Sequence, residues 1–229
     1  MSQRTSQFKP ISDGLAREIG RMHEDAARKF DGGTFGIELV KGDPEFQESL
    51  FKHWQQRVAL RARLLPLIER PPLFSLELGL WKSKDGMISA VESAGSKFSD
   101  WALQVIGNPE FTLLPEPGVY DFVPSDVGEL TGKNQVKTPE LYVAQSRLGF
   151  IESPHESACS VRIAYSDQPM NEWRVLLSKP VADAYGDLSV LRVDRRGDGS
   201  WVSGGFADPG RVWGGDERLL LCRKHPLAA

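Results

Sequence analysis

Residues 74–80 read Phe-Ser-Leu-Glu-Leu-Gly-Leu, and this stretch decides how we interpret the fold. Apolar residues alternate here with polar or small ones, which is the period of a strand that buries one face. The prolines at 71–72 end any helix that precedes it. Residues 84–86, Lys-Asp-Gly, are typical of a turn. We therefore expect a strand, with 87–91 as its candidate partner in a hairpin.

The residues before this strand are predicted to be mostly helical. Apolar residues at helical spacing follow Ser12, a helix cap, and continue to Phe30. A second helix is expected to begin at Asp43 and to bury a stripe that includes Trp54 as a core anchor. A short apolar strand is expected between these helices, at 34–40.

The residues after 108 indicate β-structure. Prolines become frequent and helical periodicity ends, so loops and strands dominate. Residues 99–106 fit either a helix or a strand. Alternation and β-propensity predict strands at 159–165, 173–177, 188–193, 200–206 and 218–222.

The predicted fold class is α+β, with N-terminal helices packed on a small sheet that continues into a mostly antiparallel β C-terminal half. We divide the chain into an α+β half at 1–107 and a β-rich half at 108–229. One continuous domain is the alternative, because no low-complexity linker separates the halves.

Composition excludes several classes of protein. The chain has 229 residues, 40% of them hydrophobic, with a net charge of −3. These values exclude a disordered or collagen-like chain, and the negative charge makes nucleic acid an unlikely partner. The polar N-terminus and the lack of a long apolar window predict no secretory signal and no membrane span. With only two cysteines, we expect a cytoplasmic protein.

Motif chemistry predicts no cofactor and no metal. The residues His155, Cys159, Cys222 and His225 are the ligand types of a structural zinc site, but neither pair has the spacing of a zinc knuckle. Glycine-rich loops with phosphate-binding spacing and a nucleophile elbow are absent from the sequence. No catalytic residue is assigned, and a non-catalytic protein is favoured.

One charge pattern stands out in residues 98–132, which we call the acidic segment. It holds six acidic residues and no lysine or arginine, a local charge of −6 over 35 residues. Arginines concentrate elsewhere, among them Arg192, Arg195 and Arg196. Exposed acids attract a basic partner and speed its docking. The candidate binding residues are Glu116, Asp121, Asp126 and Glu129.

Two functions remain open. The first is a non-catalytic protein-interaction protein whose acidic surface binds a basic protein partner. Residues 74–81, a strand that ends in Leu-Trp, are loosely similar to strands of the immunity proteins of bacterial toxin–immunity systems, which implies such a role. The second is a hydrolase-type enzyme with an active site in the β-rich half, built from an Asp or Glu and a histidine.

Overall fold

The computed structural model describes Lys52 and residues 65–225, and the structural statements below concern these residues. Besides a helical stretch at 65–68, they form five helices and ten strands. In chain order these are β1 (Phe74–Leu78), α1 (Lys84–Ser93), β2 (Ser96–Phe98), α2 (Asp100–Gly107), β3 (Gly118–Asp126), α3 (Val127–Thr131), β4 (Gln135–Lys137), α4 (Thr138–Arg147), α5 (Ser157–Ala164), β5 (Trp173–Leu176), β6 (Val181–Ala182), β7 (Leu188–Arg196), β8 (Gly199–Phe206), β9 (Val212–Gly214) and β10 (Arg218–Lys224).

Eight of these strands form one mixed sheet. Its strands follow the order β1, β3, β10, β5, β7, β8 and β2, and β6 also pairs with β7. Most neighbours are antiparallel, but β5 runs parallel to β10, and β2 runs parallel to β8. The strands β4 and β9 form a second, antiparallel pair.

Each face of the large sheet carries a hydrophobic core. Helices α1, α2 and α5 contribute to the first core, where Met87 belongs to the same buried cluster as Leu191. Helices α3 and α4 and the β4–β9 pair contribute to the second, where Trp213 clusters with Leu141 and Val190. Val190 and Leu191 are neighbours on β7 and enter different cores, because successive side chains of a strand point to opposite faces.

The predicted fold class is wrong. It placed a small sheet under N-terminal helices and a mostly antiparallel β half after it, whereas eight of the ten described strands form one mixed sheet. Strands from both sides of residue 108 belong to this sheet, with β1 and β2 at the two ends of its order. Three helices, α3, α4 and α5, lie in the half that was predicted to be β-rich. Whether 1–107 and 108–229 are folding units stays a prediction.

Two predicted strands are helices. Residues 159–165 were read as an alternating strand, but α5 buries Ala158, Cys159, Val161 and Arg162, which is helical spacing. In α1, Met87 and Val91 are buried four residues apart, and the Ser83 side chain caps the first turn by accepting from the Gly86 N–H. Short apolar runs fit both periods, and the caps and the packing decide between them.

The open segment at 99–106 is also helical. Ser99 caps α2 by accepting from the Ala102 N–H. By contrast, the strands expected around 74–80, 173–177, 188–193, 200–206 and 218–222 are present as β1, β5, β7, β8 and β10.

Several sequence predictions lie outside the described residues. These are the helices expected from Ser12 to Phe30 and from Asp43 onward, the strand at 34–40 and the core role of Trp54. Within the described ranges, none of the helices has the length and apolar character that a membrane crossing needs.

Candidate interaction site

One row of side chains crosses four neighbouring strands on the sheet face that holds Val190. Trp173 of β5 lies opposite Asp194 of β7, and Asp194 lies opposite Trp201 of β8. Lys97 of β2 is the register partner of Trp201. Because paired residues of a sheet point to the same side, two indoles, one carboxylate and one ammonium group share this face.

Two arginines of β7 flank the carboxylate of this row. Arg192 and Arg196 lie two residues before and after Asp194, so all three side chains leave the same face of the strand. Arg192 Nε is 3.2 Å from Asp194 Oδ1, and Arg196 Nη2 is 2.5 Å from Asp194 Oδ2. We call this surface the arginine–tryptophan face. It comprises Lys97, Trp173, Arg192, Asp194, Arg196 and Trp201.

Trp201 orders the cations around it. The Lys97 Nζ lies 5.2 Å and the Arg196 Cζ 5.3 Å from the centre of its ring, which is cation–π distance. The Trp201 Nε1 donates to the Asp198 carboxylate at 3.0 Å, and Lys97 Nζ donates to the Asp198 carbonyl at 2.8 Å. The strand-connecting turn therefore fixes the orientation of the indole.

The cations and one indole of this face remain accessible. Trp173 is 40% exposed, and the side chains of Arg192 and Arg196 are 34% and 44% exposed, against 5% for Asp194. An open depression of about 370 Å³ lies between Trp173 and the three arginines at 192, 195 and 196. Among the described residues, Arg196 donates only from Nη2, to Asp194 and to Ser203 Oγ. Its Nε and Nη1 make no hydrogen bond to another described residue.

A buried arginine on the opposite side of the sheet supports this surface. Arg162 is 1% exposed, and its guanidinium donates to the carbonyls of Tyr165 and Asp194 and to the Gln168 side chain. Gln168 Nε2 in turn donates to the carbonyls of Glu172 and Val193, both at 3.2 Å. Burial lowers the pKa of Arg162, and the nearby Arg195 charge lowers it further. These bonds hold the 165–172 turn that leads into Trp173.

Three of the four acids predicted to bind a partner are engaged within the protein. Asp121 is 2% exposed and accepts from Ser75 Oγ at 2.7 Å, and its carboxylate also contacts His225 Nδ1 at 2.7 Å and Arg223 Nε at 3.3 Å. Burial alone would raise the pKa of Asp121, but the hydrogen bonds from His225, Ser75 and Arg223 together lower it.

Asp126 and Glu129 lie close together at the start of α3. Asp126 caps the helix by accepting from the Glu129 N–H at 2.6 Å. Glu129 forms an ion pair with Arg70 and accepts from Ser125 Oγ at 3.0 Å. Glu116 lies in the loop before β3 and is exposed. The docking role of these four residues and its basic partner stay predictions, as does the likeness to immunity proteins.

The residues weighed as zinc ligands are used in other ways. Both cysteines are free thiols in the first core, and burial raises the pKa of Cys222 to about 12. His155 Nδ1 accepts from the Thr112 N–H at 3.0 Å, while its Nε2 lies 3.0 Å from the Lys179 carbonyl. Over the part of the chain that the structure describes, three or more metal-ligating side chains do not converge anywhere.

The arginine–tryptophan face was missed in the sequence, although part of its signal is there. Arg192, Asp194 and Arg196 occupy alternate positions, which share one face of a strand, but the strand was predicted to end at residue 193 and β7 continues to Arg196. The alignment of Trp173, Trp201 and Lys97 with them depends on strand register, which period-two patterns do not encode.

Compared with protein-family models, with curated proteins and with solved structures, the chain has no match. The proposals below therefore rest on the geometry of this chain.

Proposed function

We propose that the protein is a non-catalytic protein-interaction protein and that the arginine–tryptophan face is its interface. The observation that supports this proposal is that two partly exposed guanidinium groups share one buried carboxylate beside an exposed indole. Tryptophan and arginine are the residues that most often dominate binding energy at protein interfaces. A surface indole that is fixed by strand register loses little conformational entropy when it is covered.

The sheet gives this surface a rigid base. The ladder between β7 and β8 runs without a break from Ser189 and Phe206 to Arg196 and Gly199. On the opposite side of the sheet, the hydrogen bonds of Arg162 hold the 165–172 turn that leads into Trp173. Interfaces built on strands keep their side chains closer to the binding geometry than those built on loops. A cytoplasmic location is part of the proposal, supported by the two buried free thiols.

Site-specific photocrosslinking tests this function. The full chain would carry p-benzoylphenylalanine at position 173 and be irradiated in cells of its source. The matched control carries it at position 185, where Tyr185 is 86% exposed beside the opposite end of β7. We expect a discrete protein adduct from position 173 and none of the same mass from position 185. The same adducts from both positions, or none from position 173, would reject the interface.

The contact between Asp121 and His225 favours a second candidate, hydrolysis. A carboxylate on His Nδ1 orients the imidazole and leaves Nε2 to act as a base. His225 Nδ1 lies 2.7 Å from Asp121, and the His225 side chain is 46% exposed. However, Ser75 donates to Asp121 rather than to the imidazole, so the order of a nucleophilic triad is not formed.

Ester hydrolysis distinguishes this candidate. If the pair acts as a general base, purified protein hydrolyses p-nitrophenyl acetate, and His225→Gln lowers the rate by about 100-fold or more. A rate that is unchanged in His225→Gln, with both proteins folded by circular dichroism, excludes catalysis by this pair.

A further inference from the structure

We infer that the arginine–tryptophan face binds an acidic stretch of a partner protein. In the free protein, Asp194 occupies the position at which a carboxylate of that stretch would bind. This inference rests on the proposed function and specifies its ligand. It follows from three features of the face: the number of guanidinium groups for each carboxylate, the placement of an indole beside them, and the short extent of the positive charge.

The first feature is an excess of guanidinium donors. Arg192 and Arg196 contact opposite oxygens of the single Asp194 carboxylate. The Arg192 Nε and the Asp194 Oδ1 are close but lack hydrogen-bond geometry, so the contact is an imperfect one. A planar guanidinium matches a carboxylate best when two parallel N–H groups bind it. A carboxylate from outside can therefore offer these arginines a better geometry than Asp194 does.

The second feature is the exposed indole next to these donors. Trp173 is 40% exposed and borders the depression that contains the arginines. Acidic side chains carry one or two methylene groups below the carboxylate, and an indole covers such apolar stems. The combination suits Glu or Asp in a peptide that lies across the strands.

The third feature argues for protein rather than nucleic acid. A nucleic acid backbone carries a charge at every nucleotide and needs a continuous basic track. Here the cations alternate with carboxylates, since Asp194 lies between two arginines and Asp198 lies beside Lys97. The chain as a whole also has a net charge of −3. Separate carboxylates on a peptide fit this pattern.

Asp194 should act as an internal competitor. While its charge is present, both guanidinium groups are drawn toward it, and an incoming carboxylate competes with it for them. Asp194→Asn removes that charge but keeps the size of the side chain, so the donors become available. We therefore expect this substitution to strengthen binding, whereas the loss of either arginine weakens it.

Fluorescence anisotropy with the full chain tests this inference. The probes are fluorescein-labelled decaglutamate, decalysine and a ten-nucleotide thymidine strand, each titrated at low and at high sodium chloride concentration. We expect decaglutamate to bind with a salt-dependent affinity and decalysine not to bind. Arg192→Gln and Arg196→Gln should each weaken decaglutamate binding by about threefold or more, and Asp194→Asn should strengthen it by about threefold. The control Arg147→Gln, an exposed cation at the end of α4, should leave it unchanged.

Two binding results would overturn the inference. Tighter binding of the thymidine strand than of decaglutamate would assign the face to nucleic acid. Binding that Arg147→Gln weakens as much as Arg192→Gln would be nonspecific. If Asp194→Asn alone fails to fold, the two arginine variants still decide the result. If decaglutamate does not bind while position 173 still crosslinks to a partner, the acidic ligand is wrong and the interface remains. If that crosslink is also missing, the proposed function itself fails.

Discussion

The acidic segment and the end of β7 both concentrate charge, but they use it differently. Arg223 contacts Asp121 through Nε and donates its other nitrogens to the carbonyls of Ile68 and Arg70. Arg70 binds Glu129 through two nitrogens and also donates to the Pro124 carbonyl. By contrast, the hydrogen bonds that Arg196 makes to described residues all come from Nη2. Arg70 and Arg223 each bind an acidic side chain and at least one main-chain carbonyl of another segment, which stabilises the fold. Arg196 is 44% exposed and bonds to two side chains of its own hairpin, which leaves it able to bind a partner.

A substitution of Asp121 is expected to have the largest effect on the free energy of unfolding. A small effect would contradict the structural role that distinguishes the acidic segment from the end of β7. Asp121→Ala should lower the free energy of unfolding by about 2 kcal/mol, because Ser75, Arg223 and His225 lose the carboxylate that they contact, while the partial exposure of Arg223 and His225 limits the cost. Urea unfolding followed by circular dichroism measures it. The matched control is Glu116→Ala, an exposed acid of the same segment, which should stay within about 0.5 kcal/mol of the wild type. Equal effects would mean that Asp121 is not a structural charge.

The pH dependence of the free energy of unfolding tests the same structural role of Asp121. Since the folded-state pKa of Asp121 lies below its ordinary value, the carboxylate stabilises the fold above the unfolded pKa, about 3.9. That stabilisation is lost as the pH falls below this value and through the folded-state pKa. The difference in unfolding free energy between the wild type and Asp121→Asn should therefore shrink as the pH falls below about 4. A difference that grows on acidification would contradict the assignment.

The ion pair of Arg70 with Glu129 gives an intermediate effect. Its side chains are 31% and 32% exposed. Arg70→Gln should cost about 1 kcal/mol, since it also removes a bond to a carbonyl. Lys133→Gln is the control, because Lys133 and Glu140 form a pair that is 58% and 51% exposed. Its cost should stay within about 0.5 kcal/mol. If thermal unfolding shows that Lys133→Gln is more destabilising than Arg70→Gln, exposure does not determine how much these ion pairs stabilise the fold.

The sequence allowed five of the ten described strands to be predicted but not their arrangement. Alternation and β-propensity locate β1, β5, β7, β8 and β10. Burial alternates in β1, whereas β10 is buried on both faces over residues 219–222. The same patterns fit α5, where helical packing prevails over an apparent alternation in an eight-residue stretch. The parallel pairs of β10 with β5 and of β2 with β8 join segments that are distant in sequence. Local patterns carry no information on such pairings.

The candidate site was predictable only in part, for a similar reason. The acidic segment contains no base, so its acids look unpaired when the sequence is read locally. Their partners, Arg70, Arg223 and His225, come from outside the segment and arrive through the pairing of β3 with β10 and the turn before β1. In β7, Arg192, Asp194 and Arg196 share a face because the strand continues to Arg196, three residues beyond the end predicted from the sequence. That one carboxylate serves both arginines became visible only with the structure.

A double-mutant cycle on Arg192 and Arg196 tests the central claim most directly. If the two guanidinium groups share Asp194, either one alone neutralises it and the other is free for a partner. Arg192→Gln and Arg196→Gln should each change the free energy of unfolding by no more than about 0.5 kcal/mol. The double variant should lose about 1–2 kcal/mol more than their sum, because the buried carboxylate is then unpaired. Two single losses of about 2 kcal/mol each that simply add would show that both arginines are fixed parts of the fold, and would contradict the account.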